Sequence, residues 1–134
     1  MTAIPAIRQR TVSVVIADDV AALRELLRYV LEEAGGFDVV AEASDGEEAV
    51  QVVERIHPRL LLLDLAMPRL DGLEALPRIR AISPETRIVV FSGFTADRME
   101  NEAVRLGAAA YVEKGALPDE IVARLRAVLT GGTR

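Results

Sequence analysis

Short runs of β-branched and leucine residues alternate along this chain with longer stretches in which apolar positions recur every three or four residues. Val12 to Ala17 is such a run and predicts a strand. The stretch after it places Leu23, Leu26, Leu27, Val30, Leu31 and Ala34 on one helical face before Gly35 and Gly36 stop it. Phe37 to Ala43 predicts a second strand, and Asp38 and Glu42 interrupt it in the half-polar manner of a sheet edge. Ser44-Asp45-Gly46-Glu47 fits a capping box opening a helix that runs to about Arg55, with serine and glutamate satisfying backbone donors.

Leu60 to Leu63 is a leucine run ending at Asp64 and bounded by Pro58 and Pro68, the pattern of a short strand buried on both faces in the middle of a sheet. A third helix is expected near Gly72, kinked or delayed by Pro77, which lacks a backbone donor. Arg87 to Phe91 predicts strand four, and a weakly amphipathic helix from about Thr95 to Leu106 is closed by Gly107. Ala109 to Glu113 predicts strand five. Pro118, favoured at a first helical position, starts a last helix with Ile121, Val122, Leu125, Val128 and Leu129 on one face.

Five strand-then-helix units with short loops imply an α/β fold: right-handed crossovers place helices on both faces of a five-stranded parallel sheet, a three-layer (βα)5 sandwich. A flavodoxin-like order, 2-1-3-4-5, sets strands one and three side by side at the switch point, where ligands bind beyond the C-terminal strand ends. At 134 residues, 51% hydrophobic and 28% charged, the chain is one domain able to bury a core alone. The absence of cysteine excludes disulfides, thiolate metal sites and cysteine catalysis, and fits a reducing compartment, the cytoplasm by default. No signal-peptide or membrane-spanning stretch is read, and a net charge of -5 argues against nucleic-acid binding by this segment.

The switch-point rule makes the residues after each strand the ones to weigh. They are Asp18 and Asp19 after strand one, Asp64 after strand three, Ser92 after strand four and Lys114 after strand five; the edge strand offers nothing obvious. Singly, these read as helix-capping or turn aspartates, a loop serine and a solvated lysine. Together they make a different case. Three carboxylates in one crevice repel one another unless a cation lies between them, and oxygen-only ligands favour a hard ion such as magnesium, completed by a substrate phosphate. Lys114 and Ser92 could then hold phosphoryl oxygens while a carboxylate attacks.

At this point the chain resembles the receiver domains of bacterial two-component response regulators. The resemblance runs from Val12 to Leu129 and rests on VIADD, LLLDLAMPRLDG, VVFSG and AAYVEKGA at matching intervals. It implies a receiver over 12–130, an N-terminal extension over 1–11 and a tail or linker start over 131–134. It further implies that Asp64 is the phospho-acceptor and that Asp19, Asp64 and the Ala66 backbone carbonyl ligate magnesium or manganese, with Asp18 helping through water. Ser92 corresponds to the switch hydroxyl, Lys114 to the lysine of the site and Tyr111 to the aromatic rotamer switch. The partners implied are a sensor histidine kinase, an output domain or downstream protein, and a second copy of the chain on phosphorylation; the only catalysis implied is of its own phosphorylation and dephosphorylation.

Gly115 after Lys114, where many receivers carry proline, is similar to regulators with a LuxR-type helix-turn-helix output. Ala66 brings no polar side chain, which bears on the lifetime of an aspartyl phosphate. A phosphatase of the haloacid dehalogenase type would need an aspartate where Ala66 stands, and a flavin-binding protein would face the wrong charge. A pseudo-receiver that only binds partners is the remaining alternative. His57 before Pro58 reads as a surface residue rather than a phosphohistidine. Arg98, Glu100 and Glu102 read as a solvated helix face.

Overall fold

In the computed structural model, residues 11–93 and 96–131 are described, without the side chains of 96–98. The N-terminal extension up to residue 10, Thr95, the Arg98 side chain and the tail from 132 lie outside the described residues. Among the described residues five strands and five helices alternate: β1 (Val12–Ala17), α1 (Ala21–Ala34), β2 (Phe37–Ala43), α2 (Gly46–Ile56), β3 (Leu60–Leu63), α3 (Gly72–Ile82), β4 (Arg87–Ser92), α4 (Ala96–Arg105), β5 (Ala110–Glu113) and α5 (Pro118–Leu129). All pairings are parallel and the order is β2-β1-β3-β4-β5, the flavodoxin-like arrangement with β1 beside β3.

Alternate strand residues feed two apolar cores. Val14, Ile16, Leu60 and Leu62 pack with Leu27 and Leu31 of α1 and Ile121 and Leu125 of α5. Val15, Ala17, Leu61 and Leu63 pack with residues of α2, α3 and α4, among them Val53, Ile79 and Ala103. All four β3 leucines are buried because the strand is covered on both faces. The pairing of β2 with β1 shifts register between Val14 and Val15, where Val14 faces Val39 and Val15 faces Ala41. That bulge at Val40 reverses which residues point to which side. Before it, Phe37 and Val39 face the α1 core; after it, Ala41 and Ala43 face the α2 core, so Glu42 comes out on the α1 side.

Two local expectations are corrected. The cap of α2 is Asp45, whose side chain accepts from Glu48 N–H at 2.8 Å, while Glu48 Oε1 takes the N–H and hydroxyl of Ser44. The cap therefore sits one residue later than Ser44 suggests, because the helix starts at Gly46, and Glu48 reaches past the cap to Ser44 rather than closing a box on Asp45. Pro77 does not delay α3, which starts at Gly72 behind a capping box of Asp71 and Glu74 and runs through to Ile82 with the proline on its exposed side. His57 is an exposed residue, as expected, with φ 51° at the end of α2 and Nδ1 2.8 Å from Glu85.

Candidate functional site

The backbone brings the strand ends to one rim through a short ladder of loop hydrogen bonds. Asp18 N–H donates to Ala43 O at 2.9 Å, Asp64 N–H to Ala17 O at 2.9 Å, and Lys114 N–H to Ser92 O at 2.8 Å. Asp18, Asp64 and Ser92 are buried, whereas Asp19 is exposed. Carboxylate oxygens of Asp18, Asp19 and Asp64 lie within 4.8 Å of one another. Lys114 Nζ stands 3.0 Å from Asp18 Oδ2 and 3.3 Å from Asp64 Oδ2, one cation between two buried anions.

That arrangement is electrostatically loaded. Burial pushes the Asp64 carboxyl up, the Asp18 charge adds to it, and Lys114 and the Ala66 N–H offset only part, so its pKa is raised. Burial works against the Lys114 ammonium, but Asp18 and Asp64 outweigh it and hold its pKa above that of an ordinary lysine. Asp18 Oδ1 accepts from Val20 N–H at 2.8 Å, yet its buried Oδ2 has the ion pair with Lys114 and, among the described residues, no aligned hydrogen bond. A buried carboxylate oxygen left short of donors beside two more carboxylates is coordination capacity for a hard cation, and these residues fit one.

The chain matches the family model of the response regulator receiver domain over residues 14–126. It belongs to that family. This receiver is 34% identical over 120 residues to the response regulator UvrY of Escherichia coli, covering 90% of this chain and 55% of that one. It is 33% identical to the chemotaxis protein CheY of Thermotoga maritima over 86% of this chain and 95% of that one. A two-component response regulator of the LuxR family from Aurantimonas superposes with a TM-score of 0.87 at 32% identity, over 92% of this chain and 88% of the other. The receiver spans about half the length of the first curated relatives it matches.

Every strand-end residue singled out in the sequence thus reaches the same rim of the receiver. Tyr111 lies on β5, three residues before Lys114, already packed inward at 3% exposure within the α2, α3 and α4 core. Ala66 contributes its N–H, which approaches Asp64 Oδ1 at 3.3 Å. Further contributions escape the strand-end rule. A Cβ on Gly72 would come within 2.2 Å of Asp64 O, and one on Gly46 within 1.9 Å of Leu70 O, so two helix starts clamp the loop after Asp64. Arg69, at φ 67°, ties the same loop to Asp45 with Nη2 at 2.7 Å. Glu42 of the edge strand binds Arg24, whose Nη1 donates to Asp18 O at 2.6 Å. LLLDLAMPRLDG holds both Arg69 and Gly72 and is the signal for them; nothing local marks the roles of Gly46 and Glu42.

Proposed function

We propose that this receiver is a magnesium-dependent phospho-acceptor, in which a carboxylate oxygen of Asp64 takes a phosphoryl group from a partner histidine kinase. The observation that carries the reading is the convergence of the Asp18, Asp19 and Asp64 carboxylates with the Lys114 ammonium at one rim. The new bond joins Asp64 oxygen to phosphorus as the bond from phosphorus to the donor's imidazole nitrogen breaks, and the nitrogen keeps the electron pair. Asp18, Asp19, Asp64 and the Ala66 carbonyl would hold the ion, manganese serving in place of magnesium. When bound, the ion supplies charge neutralisation between the attacking carboxylate and the donor phosphate. Lys114 receives a transferred phosphoryl oxygen, since it already faces Asp64, and Ser92 supplies one hydroxyl donor from the next strand.

Phosphorylation adds about -1.5 to -2 charge at the end of β3. A unit charge pair at about 4 Å contributes on the order of 4 kcal/mol at an effective dielectric near 20, more than the roughly 1 to 3 kcal/mol of typical allosteric coupling. Ser92 is drawn toward the phosphate, Tyr111, already inward, stays packed behind it, and the face of α4, β5 and α5 is repacked for an output domain, a downstream protein or a second copy. The chain catalyses its own phosphorylation and dephosphorylation and no other reaction. If Ser92→Ala left a partner's preference for the phosphorylated form intact, this coupling route would be wrong.

The deciding experiment is intact mass after incubation with acetyl phosphate and magnesium, beside Asp64→Asn and a chelated sample. A one-phosphoryl gain requiring both Asp64 and the ion is expected. No gain in folded samples read before hydrolysis would leave the phosphorylation-independent interaction module.

A further inference from the structure

The turn that delivers Asp18 and Asp19 enters its helix without a side-chain cap hydrogen bond. Helix α1 begins after Val20, and Asp18 Oδ1 is occupied by Val20 N–H. Arg24, one turn into the helix, folds back over this segment: Nη1 donates to the Asp18 carbonyl at 2.6 Å and Nε to Glu42 Oε1 at 2.8 Å. The second Glu42 oxygen accepts from Arg28 Nε at 3.0 Å and Nη2 at 2.7 Å, and Arg28 Nη1 donates to Val39 O at 3.2 Å. Burial pushes the Glu42 carboxyl up, but the two guanidiniums outweigh it and keep its pKa lowered, so it is ionised at neutral pH. The bulge at Val40 is what turns Glu42 to this side of the sheet.

We infer that Arg24, held by Glu42, is a positioning residue for the proposed cation site, fixing the Asp18 carbonyl and with it the turn from which Asp18 and Asp19 reach Asp64. The inference rests on the cation-dependent reading above. Carboxylates crowded within 4.8 Å repel one another before any ion arrives, and an unfastened turn relieves that repulsion by swinging outward. Lys114 opposes the swing from inside the crevice; Arg24 opposes it from behind, at the main chain. A turn already in place does not have to be ordered on binding, and such outer contacts commonly set metal affinity by about 10 to 100-fold.

Arg28 is the control, because it loses a comparable ion pair with the same Glu42 without touching the Asp18 turn. The test titrates manganese into metal-free protein and follows loss of the free-ion signal by electron paramagnetic resonance, with urea melts in chelator for each variant. Arg24→Met is expected to raise the manganese Kd about tenfold, Glu42→Gln about threefold and Arg28→Met less than about twofold, while the Arg24 and Arg28 variants lose similar stability. Equal Kd for Arg24→Met and wild type, or an equal rise for Arg24→Met and Arg28→Met, overturns the inference, and an unchanged Glu42→Gln removes Glu42 from it. Should Arg24→Met not fold, the comparison of Glu42→Gln with Arg28→Met decides. Folded wild type that binds no manganese overturns the cation site itself, an outcome distinct from failure of the brace alone.

Discussion

Asp45 and Asp64 are both buried aspartates close to the same loop, and their surroundings oppose each other. Asp45 accepts from Glu48 N–H and pairs with Arg69, and these contacts, the backbone bond first, hold its pKa below the ordinary value. Asp64 is raised, by burial first and then by Asp18, with one shared lysine as its counter-ion. The fold needs Asp45 charged and has provided donors for it; it holds Asp64 charged at a cost. The same contrast separates helix starts. Asp45 and Asp71 cap α2 and α3, whereas Asp18 and Asp19 precede α1 without capping it. A carboxylate that does not cap its helix, and whose second oxygen faces only a lysine, is one the chemistry can use.

The sharpest break of this comparison is to neutralise each member. Asp64→Asn should abolish the phosphoryl gain and yet make the chelated protein more stable at neutral pH, by on the order of 1 kcal/mol after solvent screening. Asp45→Ala should do the opposite, lowering the melting temperature while phosphorylation persists, because it removes a helix cap and not a reacting group. Paired thermal melts and intact-mass assays read both arms; loss of stability in Asp64→Asn would erase the distinction.

Removing the shared counter-ion comes next. Lys114→Met leaves two buried carboxylates facing each other, so the chelated protein should lose about 2 kcal/mol, a figure reduced from that of a fully buried pair because the lysine is partly exposed. Phosphorylation by acetyl phosphate should slow about 100-fold, since a positioned cation aimed at developing charge is gone. Magnesium should restore much of the stability and little of the rate in urea melts and time courses. Full recovery of rate would make the lysine purely structural.

The loop between the two aspartates gives a smaller effect. A Cβ on Gly72 would meet Asp64 O at 2.2 Å and Leu65 Cα at 2.7 Å, backbone atoms that cannot step aside cheaply. Gly72→Ala should therefore destabilise by about 1 to 3 kcal/mol despite the roughly 1 kcal/mol by which alanine is the better helix former. Asp64 is displaced with it, so phosphorylation falls too, and urea melts beside the mass assay check both. A neutral result would mean the helix start can retreat from the strand end.

These glycines also show where sequence reading stopped. The strands were legible because runs such as Leu60–Leu63 carry their burial in their composition, and Asp18, Asp19, Asp64, Ser92 and Lys114 were legible because topology alone sends strand ends to one rim. The cap of α2 was misplaced by one residue, since Ser44 and Asp45 are both good caps and only the start at Gly46 chooses between them. Glu42 looked like edge-strand polarity because its direction depends on a bulge against β1, a relation between distant segments. Gly46 against Leu70 is likewise a contact no local pattern encodes.

The finest test is the pH dependence of stability in chelator, where the two aspartates have opposite signs. For Asp45, whose folded pKa is lowered, the stabilisation is complete above the ordinary carboxyl value of about 3.9 and is lost as pH falls through the lower folded value. For Asp64, whose folded pKa is raised, the folded state binds the proton first, so its cost is present above the folded value and disappears as pH falls toward about 3.9. Acidification from neutrality should thus erase the stability advantage of Asp64→Asn over wild type by about pH 4, before the deficit of Asp45→Ala begins to close below it. Saturating magnesium should reverse the first arm, because ion binding requires the carboxylates deprotonated and the wild type alone keeps all three. Urea melts from neutral to acid pH, with chelator and with magnesium, measure both slopes, and an Asp64→Asn advantage that grew on acidification would mean that burial does not strain this carboxylate.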